Sequence, residues 1–483
     1  MKKSIAKNYI YNLVYQILVI ILPVITTPYL ARVLGPENLG VYSYVLSITA
    51  AFILVGSMGL SLYAQREVAY NQKSEKEYSK LFWELFLLKS ITMIISIIVY
   101  YILFVFRNNN YNIYFTILLV ELFSSIFDIS WFFQGLEDFQ KTISRNIIIK
   151  LLSVILIFLF VKNSKDLTNY FYIYIFSVFF SNFSLWLYLP KILKKIKISE
   201  LKMQRHLKPI FLLFIPQIAI EIYTVLDRTM LGVIISDKSE VGFYDQSQKI
   251  IKLLLALVTS LGLVMLTRVS NMYAEGNHKK VKSYILKSFN VVFFLGIPMI
   301  FGLISISEFF VPIFFGEGYS KVILILKVIS PIILIIGMSN VIGVQYLLPT
   351  GGQKQYTTSV ILGAIVNFCL NILLIPNFGA IGAAMGTIAA ETAVALIQLF
   401  YVRKKIKVIE LLKLSKNYLL AAMLMFIICV IPNYIFNNYY LIICCKVIIG
   451  MVAYILTLLF LKDKFVLEIK NRFFTKILKR RKK

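Results

Sequence analysis

Lys249 and Lys252 stand three residues apart in an otherwise apolar run, a spacing that puts both ammonium groups on one face of a helix. Asp245 and Gln248 extend that face. In the preceding apolar run Glu221, Thr224 and Arg228 recur at i, i+3 and i+7, with Asp227 beside the arginine. An ionisable group at bilayer depth costs on the order of 2.5–3.5 kcal/mol, so each needs a partner or a watery cavity. Two readings are open. The charges pair and hold the helices together, or Arg228, Lys249 and Lys252 hold an anionic head group while Glu221 or Asp227 binds a coupling cation. Arg32 ends a polar stripe, Asn8, Asn12, Tyr15 and Thr26, that Pro23 and Pro28 interrupt; it is a further cationic contact or an interface anchor. Glu121 and Asp128, at i and i+7 with Ser124 and Ser125 between, are candidates for binding H⁺ or Na⁺.

Other ionisable groups in apolar runs, Glu84, Lys89, Lys150, Lys327, Glu391 and Lys446, are isolated in sequence and are expected to find partners or to snorkel. Asn367 and Asn371, at i and i+4, read as hydrogen-bonding glue between helices.

Covalent chemistry is not indicated. Gly35-Pro36-Glu37-Asn38-Leu39-Gly40 has the glycine spacing of a phosphate loop, but Val41-Tyr42 follows where Lys and Ser/Thr are required. Cys369, Cys429, Cys444 and Cys445 lie in apolar runs and read as packed thiols. His206 and His278 sit in basic loops far in sequence from any cysteine or carboxylate cluster, so no metal site is expected. No cofactor is implied beyond a coupling H⁺ or Na⁺, and the short outside loops leave little room for an enzymatic domain.

The elements that must position these residues are membrane spans. Of 483 residues 59% are hydrophobic and only 15% charged, too few to cover a soluble surface. A helix needs roughly 20 apolar residues to cross the hydrocarbon core. Fourteen such runs are read, near 9–31, 40–64, 81–106, 113–134, 146–162, 169–190, 209–234, 242–267, 286–307, 321–348, 357–375, 380–402, 418–436 and 440–461. Lysine and arginine crowd into alternate connections. That places both termini in the cytoplasm and explains the net charge of +28 as loop charge, not a nucleic-acid surface. With Gly242 at the outer surface, the two lysines lie roughly 10–15 Å deep. The fold class is therefore an all-α multi-pass protein of the cell (inner) membrane, in contact with its lipids.

An internal parallel repeat divides it. Arg32-Val33-Leu34-Gly35 precedes Gly40-Val41-Tyr42, and some two hundred residues on Arg228-Thr229-Met230-Leu231-Gly232 precedes Gly242-Phe243-Tyr244. The expected organisation is a six-helix lobe over 1–190, a basic linker over 191–208, a second six-helix lobe over 209–402, two appended helices over 403–461 and a basic tail over 462–483, which is either an amphipathic helix on the inner leaflet or a solvated end.

Pro28-Tyr29-Leu30-Ala31-Arg32-Val33-Leu34-Gly35 with Gly40-Val41-Tyr42-Ser43, Trp131-Phe132-Phe133-Gln134-Gly135-Leu136-Glu137, and Ile375-Pro376-Asn377-Phe378-Gly379-Ala380-Ile381-Gly382 after Asn367–Asn371 resemble segments of the polysaccharide-repeat-unit (Wzx-type) flippases. That family belongs to the multidrug/oligosaccharidyl-lipid/polysaccharide exporter superfamily. The resemblance implies two pseudo-symmetric six-helix lobes about a central cavity lined by spans one, two, seven and eight. It also implies an undecaprenyl-pyrophosphate-linked oligosaccharide cargo, moved to the outer leaflet by cation-coupled alternating access. Polysaccharide polymerases and glycosyltransferases would be partners, for capsule or O-antigen synthesis. Peptidoglycan- or teichoic-acid-precursor flippases and cation-coupled drug exporters are the alternatives.

Overall fold

The structure is a computed structural model and describes residues 5–107, 110–260, 262–468 and 470–471. Most of the basic tail, including Phe473 and Phe474, lies outside the described residues, as do the side chains of Asn8, Asn12, Glu221 and Thr224. Every regular element among those described is helical. The chain forms two compact units, residues 1–242 and 243–483.

The first unit begins with α1 (Ile5–Ser57), then α2 (Leu60–Asn71) and α3 (Glu75–Tyr100), which runs on into a π-helical turn over Tyr101–Phe106. Next come α4 (Asn112–Ile126), α5 (Ser130–Gly135), α6 (Phe139–Phe160), α7 (Leu167–Phe183) and α8 (Leu207–Ile234). In the second unit lie α9 (Ser239–Thr259, whose first turn belongs to the first unit), α10 (Gly262–Ala274), α11 (His278–Phe315), α12 (Ser320–Ile329), α13 (Ile332–Ile342), α14 (Gln353–Phe378) and α15 (Ala380–Val402). The unit ends with α16 (Val408–Ile428), α17 (Pro432–Ile435) and α18 (Tyr439–Phe460).

Twelve helical segments among the described residues are long and apolar enough to cross a membrane. The first, Ile17–Ser57, holds the first two expected spans, and α8, the seventh expected span, is not among the twelve. A count of fourteen rests on dividing α1 and including α8. Helix α3 shows why these segments need lipid. One side buries Phe82, Leu85 and Met93 completely, while Ile91, Ile94, Ile95 and Ile98, each about half exposed, form an equally apolar outer side. A helix apolar all round in this way belongs in hydrocarbon.

Several expected boundaries move. Pro23 and Pro28 sit inside α1, and the break falls at Gly35, whose φ of 78° a residue with a Cβ rarely adopts. The expected span 146–162 is the longer α6, 22 residues. The expected span 113–134 is two pieces, because α4 stops at Ile126. Ser330-Pro331 divides the expected span 321–348 into α12 and α13. The two compact units divide after Gly242, and α8 groups with the first, packed along α1.

Candidate cargo and coupling sites

In the first unit α8 lies against the second arm of α1, where the Thr229 hydroxyl donates to Ser47 Oγ at 2.9 Å. Asp227 is buried, Arg228 half-buried and Arg32 exposed. Lys238, unremarked in the sequence, proves central to this region. Its ammonium donates to the carbonyls of Gly232 (2.7 Å), Ile235 (2.9 Å) and Ser236 (3.3 Å), acceptors that the end of α8 leaves without helical partners. It also stands over the rings of Tyr44 and Tyr111, 5.0 and 5.7 Å from their centroids. Burial pushes the Lys238 pKa down, against the opposing pull of Asp237.

The repeated glycines meet here. A Cβ on Gly40 would fall 1.6 Å from the Lys238 carbonyl oxygen, and one on Gly242 would fall 2.2 Å from that of Pro36. Each Gly-apolar-Tyr start thus rests on the turn that precedes the other, backbone on backbone. No side chain fits between them.

Glu121 of α4 is 8% exposed. Tyr174 of α7 donates to its Oε1 at 2.7 Å, while Oε2 has no hydrogen-bond partner among the described residues. Tyr42 closes the surroundings, its ring 4.4 Å from Tyr170 and 5.9 Å from Tyr174. Asp128 does not share this setting. It lies beyond the end of α4, so the i, i+7 face does not extend to it. There its Oδ1 accepts the Ser130 N–H at 3.0 Å and hydroxyl at 2.5 Å, opening α5, and Lys89 donates to its backbone carbonyl at 2.9 Å.

Glu84, isolated in sequence, is fully buried against the 191–208 linker. It accepts from the Lys202 N–H (2.6 Å) and the Arg205 guanidinium (2.6 Å), and its Oε2 lies 2.9 Å from His206 Nε2. His206 Nδ1 meets the Tyr63 hydroxyl at 2.8 Å. His206 is thus in contact with a single carboxylate, and only the fold brings position 84 to position 206. Lys327 and Lys446 also find partners: Lys327 pairs with Glu308, and Lys446 donates to the Ser305 carbonyl at 2.8 Å.

In the second unit α9 carries the lysine face. Lys249 Nζ is 3.0 Å from Asp245 Oδ2 and donates to Gln246 Oε1 at 3.5 Å. The lysine side chain keeps 38% of its surface exposed and the aspartate 5%, so the pair presents its cation outward. Lys252 is exposed. The Gln248 amide donates to the Tyr244 hydroxyl at 2.8 Å, and that hydroxyl is 2.9 Å from Thr387 Oγ1, tying the same face to α15. Asn371 donates to Asn367 Oδ1 at 3.2 Å, both fully buried within α14.

Among the described residues the chain is all-helical and multi-pass, with buried carboxylates and outward-facing cations within candidate spans. Comparison with known proteins narrows the class. The polysaccharide biosynthesis protein family profile matches residues 5–266, and that of the lipid II flippase MurJ matches residues 146–450. A candidate O-antigen transporter of Escherichia coli (strain K12) is 27% identical over 414 residues, covering 83% of this chain and 97% of that protein. The capsular polysaccharide biosynthesis protein CapF of Staphylococcus aureus is 25% identical over 411 residues, covering 83% and 99%. A solved structure of lipid II flippase MurJ in an inward closed conformation superposes with a TM-score of 0.77 at 19% identity, covering 95% of this chain and 100% of that one, a likeness of fold. The chain belongs to the polysaccharide biosynthesis family of Wzx-type flippases; it is a transporter, not an enzyme.

Proposed function

We propose that this flippase moves undecaprenyl-pyrophosphate-linked oligosaccharide repeat units from the cytoplasmic to the outer leaflet, with both of its termini in the cytoplasm. Arg32 and Arg228 of the first unit and Lys249 and Lys252 of the second hold the pyrophosphate and sugars in transit, while the prenyl tail stays in lipid. The observation that carries this reading is the α9 face. Lys252 is exposed and Lys249 turns its ammonium outward at span depth, an arrangement hydrocarbon would penalise and a phosphorylated head group rewards. Glu121 is the coupling group. Its half-satisfied carboxyl, closed in by tyrosines, takes a proton more readily than a metal cation, because a single hydroxyl is too sparse a ligand set for one. Asp128, already engaged at the start of α5, serves structure. Glu221 and Asp227 stay candidates for the same coupling role, and glycosyltransferases act before and a polymerase after on the same glycan.

A peptidoglycan precursor as cargo is the second reading, favoured by the lipid II flippase profile over residues 146–450. The test is Lys249→Ala with Lys252→Ala, scored by surface polysaccharide and by protein recovered in the membrane. A charge-assisted hydrogen bond is worth about 1.5–3 kcal/mol, so each lysine lost costs about 10- to 100-fold in cargo affinity. Polymer output should collapse while the protein stays in place, and Lys249→Arg with Lys252→Arg should restore it. Undiminished polymer from the alanine pair would overturn the assignment.

A further inference from the structure

A groove of about 600 Å³ runs between the first turns of α11 and α16 in the second unit, and none of the residues assigned to cargo or coupling lines it. Its α11 wall presents Lys279, Lys282, Leu286, Lys287 and Asn290, and Leu414 of α16 lines the opposite side. Successive positions differ by three or four residues or lie adjacent, so one helix face carries the set. Lys282 is held at 3.0 Å from Glu410 of α16, which sets one side of the groove and leaves it with a surplus of positive charge. Asn290 accepts the Tyr418 hydroxyl through its amide oxygen at 3.3 Å, which fixes the amide at the inner end of the groove.

The groove combines charge with apolar surface. From Lys279 to Asn290 is 11 residues, about 16 Å of helix, from the loop end of α11 into its apolar length. Lys279 and Lys282 lie nearest the loop end, and Leu286, Lys287 and Leu414 line the part beyond them. A free anion would use the ammonium groups and waste the leucines. A lipid uses both, with phosphate at the lysines and acyl chain against Leu286 and Leu414.

We infer that this groove is a binding site for the phosphate head group of an anionic membrane phospholipid, seated in the leaflet that the distribution of basic loops assigns to the cytoplasm. Basic pockets between membrane helices on that side select anionic head groups, at a gain that corresponds to roughly fivefold in affinity per lysine. The inference rests on the fold and not on the identity of the cargo.

The test uses the purified full chain, titrated with phosphatidylglycerol, phosphatidylcholine and inorganic phosphate in separate arms, with occupancy read by native mass spectrometry. Lys279→Gln with Lys287→Gln removes two exposed charges without disturbing the Lys282–Glu410 pair. Lys195→Gln with Lys197→Gln removes the same charge from the exposed linker of the first unit. Phosphatidylglycerol should bind the parent and be retained by the linker variant, with phosphatidylcholine far weaker. The groove variant should bind phosphatidylglycerol on the order of 25-fold more weakly. Equal loss in both variants, no loss in the groove variant, or saturation by inorganic phosphate at the same concentration as the lipid would each overturn the site.

Discussion

The Glu121 region of the first unit and the Lys249–Lys252 face of the second both place charge at span depth, and they handle it in opposite ways. Glu121 is enclosed: one oxygen takes the Tyr174 hydroxyl, the other takes nothing among the described residues, and tyrosine rings close the rest. On α9 the acid is the buried partner and the cation faces out, with Asp245 behind Lys249 and Lys252 exposed. An enclosed acid suits a small ion that must be released on cue. An outward cation suits a large anionic group that must be gripped and passed on. One region encloses its acid, the other turns its cation outward.

Glu121→Gln tests that contrast most strongly. The amide keeps the size of the side chain and an oxygen for Tyr174 but cannot exchange a proton. Transport measured in vesicles under an imposed pH gradient should lose its dependence on the gradient, while cargo binding stays within about twofold. Unchanged gradient dependence would remove Glu121 from coupling and leave the enclosed acid a packing device.

A smaller effect sharpens the boundary of the first unit. Gly40→Ala drives a methyl group against the Lys238 carbonyl, and relief of such overpacking costs about 1–3 kcal/mol. Thermal unfolding of the purified protein should shift down accordingly. Gly276→Ala, whose Cβ meets nothing within 4 Å but whose φ of 73° is strained, separates steric contact from conformational cost; it should lose no more than about 1 kcal/mol. Equal losses would show that the Gly40–Lys238 contact carries no weight.

The smallest effect concerns the linker clamp, a buried charged cluster serving neither cargo nor coupling. Burial pushes the His206 pKa below its usual 6.5, outweighing the pull of Glu84 in the other direction. The folded state then binds this proton less well than the unfolded state, so stability rises with pH between the lowered pKa and 6.5 and is fully present above. Hydrogen-exchange protection over residues 198–207, corrected for the intrinsic pH dependence of exchange, should fall as pH falls from about 7 to about 5.5. His206→Gln should flatten that response; a slope identical to the parent's would place its origin elsewhere.

Much of the architecture was legible because lipid imposes a strong rule: apolar runs of sufficient length must be helices. The repeat was legible as well, since Gly40 and Gly242 recur with the same neighbours, although only the structure shows that they touch. Partners across the fold were not legible. Glu84 and His206 are 122 residues apart, and nothing local to either signals the other. Lys238 gives no signal in sequence, because a lysine that caps a helix end reads the same there as one in water. The pairing of Glu121 with Asp128 assumed an unbroken helix, and the stop at Ile126 undid it.

Vesicles containing the purified full chain and a fluorescent polyprenyl-diphosphate oligosaccharide, with the fraction of cargo reaching the opposite leaflet followed over time, put cargo and lysines to one trial. The parent should move the lipid well above protein-free vesicles, and the Lys249→Ala, Lys252→Ala chain should fall to that background. A parent no faster than empty vesicles, or an alanine variant as fast as the parent, would contradict the account.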